Sequence, residues 1–532
     1  MGAAFRTAGR YVIETLAANG IDTAFGIPGV HNIELYRGLD SRRVRHVLAR
    51  HEQNAAFAAD GFARVSGRAA AAFVISGPGL TNALTAIAQA ASDSVPMLVI
   101  ASTPVRASLG RRWGVLHELA DQRALAAGAA GIALHASSAE ELRAHLAAAF
   151  GYLSGGRPRP AYVGIPLDLL AEETALEPER FAHAAAAPQP DAAAIAAAHA
   201  LLESAQRPLI VAGGGARHAG AALARLAEAL DGYVVTTAAG KGVITESHPA
   251  SLGASLPYRA TQELLAAADV VLAVGTELAE TDVYTTIRLT FPGRLIRVDI
   301  DAAQLADESA QEVAIHADSR VVLEQLVQAV RPRRGWRSAA GDARGTRRAI
   351  EAQLSAHSRP ALAAVRALRA AVPPEGVVFS DMTQIAYTGN YAWAADRPGS
   401  WFHPAGYGTL GFALPAAIGA KIAQPQTPVV ALAGDFGVQF TLQELMTAVE
   451  LQLPLPVVVW NNAALAQIRD DMVAAGIEPV GVSGRNPDFA AVAAACGAQG
   501  VRVRGADELV QGVRTALAAR GPTLLEARDA DF

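Results

Sequence analysis

Val429-Val430-Ala431-Leu432-Ala433-Gly434-Asp435 is an apolar run of strand length that ends on a carboxylate, and Val457-Val458-Val459-Trp460-Asn461-Asn462 is a second that ends on two amides. Between them, Phe440 to Leu451 carries apolar residues at Leu442, Leu445, Met446 and Val449, which is helical spacing, and an acid at Glu444. The three segments predict a strand–helix–strand unit with Asp435 and Asn462 at the carboxyl ends of two parallel strands. Open α/β sheets bind ligands at that edge. A hard divalent cation such as Mg²⁺ takes oxygen ligands, commonly one or two carboxylates together with phosphate oxygens. Asp435 and Asn462, beside Gly434 and Gly437 where main chain can approach closely, therefore suit a Mg²⁺–diphosphate. An ordinary strand–helix–strand unit whose strands happen to end in Asp and Asn is the plainer alternative.

Working outward, the 532 residues are too many for one hydrophobic core and predict about three domains. Hydrophobic content of 51% against 18% charged residues marks a compact globular chain. Strand-like and helical patterns alternate throughout, so the expected fold class is α/β, with three doubly wound, mostly parallel-sheet domains at 1–178, 192–330 and 355–532. A Pro- and Ala-rich stretch from Glu177 to Pro190 reads as the first linker. Residues 331–348 hold seven arginines; phosphate binding and a solvated linker both account for them, and the linker is the expectation.

Several function classes drop out. No uninterrupted apolar stretch is long enough to span a bilayer, and Arg6, Arg10 and Glu14 interrupt any signal-peptide pattern. Neither membrane nor export is expected. The single cysteine, Cys496, permits no internal disulfide and fits a reducing cytoplasm; it reads as helix packing. A net charge of −5 gives no reason to expect nucleic acid as a partner.

Three further segments carry candidate chemistry. Arg50-His51-Glu52-Gln53-Asn54-Ala55-Ala56 opens a helix on a glutamate, whose plain role would be to favour the helix N-terminus. Gly406-Tyr407-Gly408-Thr409-Leu410-Gly411-Phe412 is a glycine-rich approach to a helix. Gly26-Ile27-Pro28-Gly29-Val30-His31 and Ser76-Gly77-Pro78-Gly79-Leu80-Thr81-Asn82 are glycine turns at strand ends.

These segments, in their order along the chain and over nearly the whole length, resemble the thiamine-diphosphate enzymes of the acetolactate synthase–pyruvate decarboxylase–benzaldehyde lyase group. The family pattern Gly-Asp-Gly, then Asn-Asn, is met by Gly434-Asp435-Phe436 and Asn461-Asn462, with Phe436 in place of the last glycine and Gly437 beside it. The helix His51-Glu52 to Ala63-Arg64 matches every fixed position of the family's glutamate helix. The resemblance implies a pyrimidine-binding, a middle and a diphosphate-binding domain, with active sites between the chains of a homodimer or homotetramer. It makes Asp435, Asn462 and the main-chain oxygen of Ala464 the Mg²⁺ ligands. It gives Gly434, Phe436, Gly437, Thr383 and Gln384 to the diphosphate. Leu410 becomes the wedge under the bent cofactor, with the Gly408 carbonyl facing its amino group. Glu52 becomes the carboxylate that hydrogen-bonds the aminopyrimidine, so that the thiazolium carbon can lose its proton.

Within the family, His31 and His117 are the candidates for returning a proton after CO₂ departs. His117 leans the expectation toward non-oxidative decarboxylation of a 2-oxo acid to an aldehyde. Gln467 and Asp471, on the helix after the metal motif, fall where relatives choose their substrate. Asp471 suits a cationic tail such as that of 5-guanidino-2-oxopentanoate, although Asp470 and Asp471 also fit a solvated helix face. The rival expectations are carboligation in the acetolactate synthase or benzaldehyde lyase manner, and a non-catalytic thiamine-diphosphate-binding subunit. FAD, which some relatives hold in the middle domain, is not expected: Gly213-Gly214-Gly215 is present, but the loop Gly275 to Asp282 is acidic and lacks the arginine and aromatic of that site.

Overall fold

A computed structural model describes residues 6–182, 187–284, 286–287, 289–306, 311–354 and 358–532. Three domains each carry a mostly parallel sheet with helices between the strands. The first sheet runs Arg45–Leu48, Thr23–Gly26, Ala71–Val74, Leu98–Thr103, Ala161–Pro166, Ile132–His135 from edge to edge, and every pairing is parallel. Its four inner strands are buried at every residue. Strands covered by helices on both faces have no polar face, which is why they read as continuous apolar runs.

The second sheet runs Ser251–Gly253, Tyr233–Thr236, Pro208–Ala212, Val270–Val274, Arg294–Asp299, Val313–His316, again all parallel. Successive side chains feed opposite faces. Ile210, Ala212, Val270, Leu272 and Val274 join one apolar cluster, and Leu209, Val211, Val271 and Ala273 the other. The sheet of the third domain includes the parallel pairs Val377–Ser380 with Trp401–Phe402 and Val429–Gly434 with Pro456–Asn461.

The chain forms two compact units. The first comprises Met1–Ala185, Tyr407–Arg502 and Thr515–Glu526; the second comprises Ala186–Gly406, Val503–Arg514 and Ala527–Phe532. Inside the first unit the Glu52–Ser66 helix lies against the Ala413–Ala423 helix. Glycine makes the approach possible. A β-carbon on Gly61 would run into the carbonyl of Ala416, and one on Gly419 into the carbonyl of Ala58. Phe412 closes one end of the crossing, with the Phe57 ring 5.5 Å away edge-on and the Arg64 guanidinium 5.1 Å above it. Arg64 is held in place by ion pairs to Asp60 and to Asp93 at 2.7 Å.

Two expectations need correction. The helix expected from Phe440 begins only at Glu444 and ends at Glu450. Tight turns fill Phe440–Gln443, with Thr441 N–H bonded to Val438 and Glu444 N–H to Thr441. The arginine-rich stretch is a solvated linker only in part: Arg331, Arg334, Arg344 and Arg348 are exposed as expected. It contains helices Trp336–Ala340 and Ala343–Ala352 that pack inside the second unit. Arg333 donates to the main chain of Leu202 at 2.7 Å, Arg337 pairs with Asp231 at 3.0 Å, and Arg347 reaches the carbonyl of Glu246. Arg333 thus caps the last carbonyls of helix Ala192–Ser204, a use that a charge pattern does not reveal. Among the described residues no helix is long and apolar enough to cross a membrane.

Candidate active site

Asp435 follows strand Val429–Gly434 and opens a four-residue helix; it is 3% exposed. Burial pushes its carboxyl above the usual range, while hydrogen bonds from Asn486 and from main-chain amides work in the other direction. The Asn486 amide donates to Asp435 Oδ2 at 2.6 Å and to Asn461 Oδ1 at 2.9 Å. Gln439 fixes Asn486 in turn, donating to its Oδ1 at 3.1 Å and to the Asp435 carbonyl at 3.0 Å. Asn461 donates to Glu526 at 2.7 Å, so this first amide of the pair serves the scaffold.

Asn462 is half-buried, and its Oδ1 accepts from the Ala464 N–H at 3.2 Å. Ala463 between them has φ of +55°, a left-handed conformation that is strained for a residue with a side chain. Leu465 N–H bonds Val482 at 2.8 Å and pins the far side of the loop. The donors here are a carboxylate, an amide oxygen and a main-chain carbonyl, the hard oxygen set that Mg²⁺ accepts. Among the described residues no three His, Cys, Asp or Glu side chains gather for a metal, so this mixed set is the one to weigh. A buried carboxylate whose charge is disfavoured by its surroundings fits a cation beside it.

Phe436, where the family pattern has glycine, is accommodated from the opposite wall. Its ring lies against Gly484, where a β-carbon would come within 3.0 Å of Cζ. Gly408 and Gly411 have φ of +69° and +84°, which glycine alone adopts without strain. Between them Thr409 is tied to Gln89 at 2.9 Å, and Leu410 is half-buried.

A second cluster lies at strand ends of the first domain. Glu52 is the half-buried first residue of its helix, and Asn82 donates to its Oε2 at 3.0 Å. His31, 8% exposed, holds the Ser76 hydroxyl at 2.6 Å through Nδ1. The Ser102 hydroxyl accepts from Ser76 N–H at 3.1 Å, and Gln122 accepts from Gly77 N–H at 3.0 Å. The His117 ring sits 4.6 Å from that of His31. Burial lowers the His31 pKa, and charge on His117 lowers it further. His117 Nδ1 is buried without a hydrogen-bond partner, and the residue has φ of +63°. Its carbonyl would be 2.6 Å from a β-carbon on Gly77, so the glycine turn and the histidine loop need each other's shape.

Gln467 and Asp471 face each other one turn apart on helix Ala466–Ala474, with the Gln467 amide 3.0 Å from Asp471 Oδ1. Asp471 is exposed, while Asp470 is paired with Arg469 at 3.0 Å. Thr383 and Gln384 belong to the second unit, at the start of helix Gln384–Ala392. In that unit each glycine of Gly213-Gly214-Gly215 has a packing reason. The first and third lie against Gly275 and Thr276, and the middle one against Ala239. Sequence reasoning misses Asn486 and Gln439, which orient Asp435, and Gln122; they lie in loops, turns or helix starts with no local pattern.

The three parallel-sheet domains and the glutamate helix point to a cofactor-dependent enzyme of the thiamine class. Residues 6–125 match the thiamine pyrophosphate enzyme N-terminal TPP binding domain, 195–326 its central domain and 381–527 its C-terminal TPP binding domain. The chain belongs to the thiamine pyrophosphate enzyme family. It is 48% identical to a probable 2-ketoarginine decarboxylase of Pseudomonas aeruginosa, over 98% of this chain and 94% of the relative. It is 32% identical to the acetolactate synthase isozyme 1 large subunit of Escherichia coli, over 87% of this chain and 83% of the relative. The isozyme 3 large subunit from the same organism is 30% identical over 95% and 91%.

Proposed function

We propose that this chain decarboxylates 5-guanidino-2-oxopentanoate, a 2-oxo acid with a cationic tail, to the corresponding aldehyde, using thiamine diphosphate and Mg²⁺. The observation that carries the reading is the 48% identity, across 98% of the chain, to a probable 2-ketoarginine decarboxylase. Asp471 supports the substrate class. A carboxylate on an exposed helix face, held only lightly by Gln467, is free to take the planar fork of a guanidinium.

Asp435, Asn462 and the Ala464 carbonyl are the proposed Mg²⁺ ligands, with Gly434, Phe436 and Gly437 around the diphosphate. Gly408 and Leu410 would support the rings. When bound, thiamine diphosphate supplies the electron sink for the carbon from which CO₂ departs. Glu52 would hold the pyrimidine by a hydrogen bond, and Asn82 limits the directions its carboxylate can face. His31 is kept neutral to lower pH than an ordinary imidazole, and its partner His117 lies within ring contact. Either imidazole is a proposed source of the proton that the product carbon takes up. The domain limits 1–178, 192–330 and 355–532, self-association as a homodimer or homotetramer, and a cytoplasmic location complete the reading. FAD is not part of it, and a flavin spectrum in purified protein would contradict that.

The test is CO₂ release with thiamine diphosphate and Mg²⁺, comparing 5-guanidino-2-oxopentanoate with pyruvate and identifying products. Preference for the guanidino acid, with aldehyde formed, is the expected result. Acetolactate from pyruvate would overturn it in favour of carboligation. No turnover of either acid by cofactor-loaded protein would overturn it in favour of a benzaldehyde lyase-like carboligase or a non-catalytic subunit.

A further inference from the structure

We propose that Glu444 is a positioning residue for Glu52, gripping the helix start that carries it from the diphosphate-binding side of the same unit. The inference rests on the reading of Glu52 as the carboxylate that faces the cofactor. Glu444 is 2% exposed and begins helix Glu444–Glu450. One of its oxygens, Oε1, accepts from the Arg50 main-chain N–H at 2.7 Å and from the Asn54 side-chain amide at 3.0 Å. Those two donors lie two residues before and two residues after Glu52. The grip is extended by Thr447, whose hydroxyl reaches the Leu48 carbonyl at 3.4 Å, and by the Arg50 guanidinium, which pairs with Glu450.

Glu52 needs such help. It is the first residue of its helix, where main-chain N–H groups lack intrahelical partners and the end frays. His51 supplies the local cap, accepting from Gln53 N–H at 3.2 Å, but fixes nothing on the side of Arg50. Burial pushes the Glu444 carboxyl up, against hydrogen bonds from Thr447, Asn54 and Arg50. Neither the proposed metal set nor the histidine pair uses this buried acid. Its bonds all go to the turn and first helical residues around Glu52, or to its own helix.

The experiment compares Glu444→Leu, which removes the acceptor, with Glu444→Gln, whose carbonyl oxygen can still take both bonds. Two quantities are read. One is main-chain amide hydrogen exchange over residues 50–55 in the cofactor-free protein. The other is deuterium exchange at the thiazolium C2 position in the cofactor-loaded protein. In Glu444→Leu the amides should exchange faster, and C2 exchange should slow by about 10- to 100-fold, the scale of a misplacement near 1 Å. Affinity for Mg²⁺ should hold, and Glu444→Gln should stay within about threefold of the parent on the same scale. A folded Glu444→Leu protein with parental C2 exchange overturns the proposal. If that variant does not fold, Asn54→Ala replaces it, with a smaller slowing expected and parental exchange again decisive against. Glu52→Gln is the control. If it leaves C2 exchange intact, the assignment of Glu52 is the part that fails, and the role of Glu444 falls with it.

Discussion

Asp435 and Asp471 are carboxylates of the same C-terminal region, held in opposite ways. Asp435 is 3% exposed, fixed by the Asn486 amide at 2.6 Å, and anchored at the end of a buried strand. Asp471 is exposed on a helix that buries none of its residues, with Gln467 as its neighbour. In the proposed function the contrast separates two jobs. Metal binding, which needs fixed geometry, would sit where main chain and buried amides define it. Choice of substrate would sit where a side chain can change without disturbing the core.

The largest effect is expected at the rigid end. Asp435→Ala should abolish Mg²⁺-dependent retention of thiamine diphosphate, read by calorimetry or gel filtration with the cofactor; full retention would remove Asp435 from the metal site. Asn486→Ala leaves the ligand but frees its orientation. Loss of a partner that orients a ligand typically weakens metal binding by about 10- to 100-fold. An unchanged Mg²⁺ dependence would mean that Asn486 only packs. Asp471→Asn should leave metal and cofactor binding alone and lower kcat/KM for the guanidino acid by about fivefold, the worth of one exposed ion pair. Turnover of a neutral 2-oxo acid should not change. Equal effects on both substrates would dissolve the contrast.

The smallest effect concerns the buried histidines. Burial and the charge of His117 both hold the His31 pKa below its ordinary value. Replacing His117 by Asn removes the repulsion, so His31 should become easier to protonate and its titration midpoint should rise while remaining below that of an exposed imidazole. Ring-proton NMR of the cofactor-free protein reads this directly. A downward movement would show that His117 had been stabilising the charged ring.

Much of this is legible in the sequence. Buried parallel strands are uninterrupted apolar runs, and Val429–Gly434 forms where the run from Val429 predicts a strand. Edge strands leave a weaker mark for the converse reason. Arg45–Leu48 and Val313–His316 mix polar and apolar residues because one side meets solvent. Asp435 and Asn462 stand just past the ends of strands, a place marked in the sequence, whereas Ala464 comes only from the family resemblance; metal binding by all three is the proposal. Asn486 is not so marked, since it reaches Asp435 only after 51 residues of chain have folded back. Segment 331–348 is only half legible because arginine looks the same in a sequence whether it faces water, like Arg331, or caps the carbonyls of a distant helix end, like Arg333.

The glycine crossing between the Glu52–Ser66 and Ala413–Ala423 helices also bears on how the protein is made. Its two halves lie in Met1–Ala185 and in Tyr407–Arg502, separated by most of the second unit. During synthesis the small-residue face around Ala58 and Gly61 emerges long before the helix that covers it. Contacts between distant segments are slow to form, and uncovered apolar surface invites association in the meantime. The same closeness that leaves no room for a methyl group at Gly61 or Gly419 makes this face a point of exposure for the nascent chain until residues beyond 420 have left the ribosome.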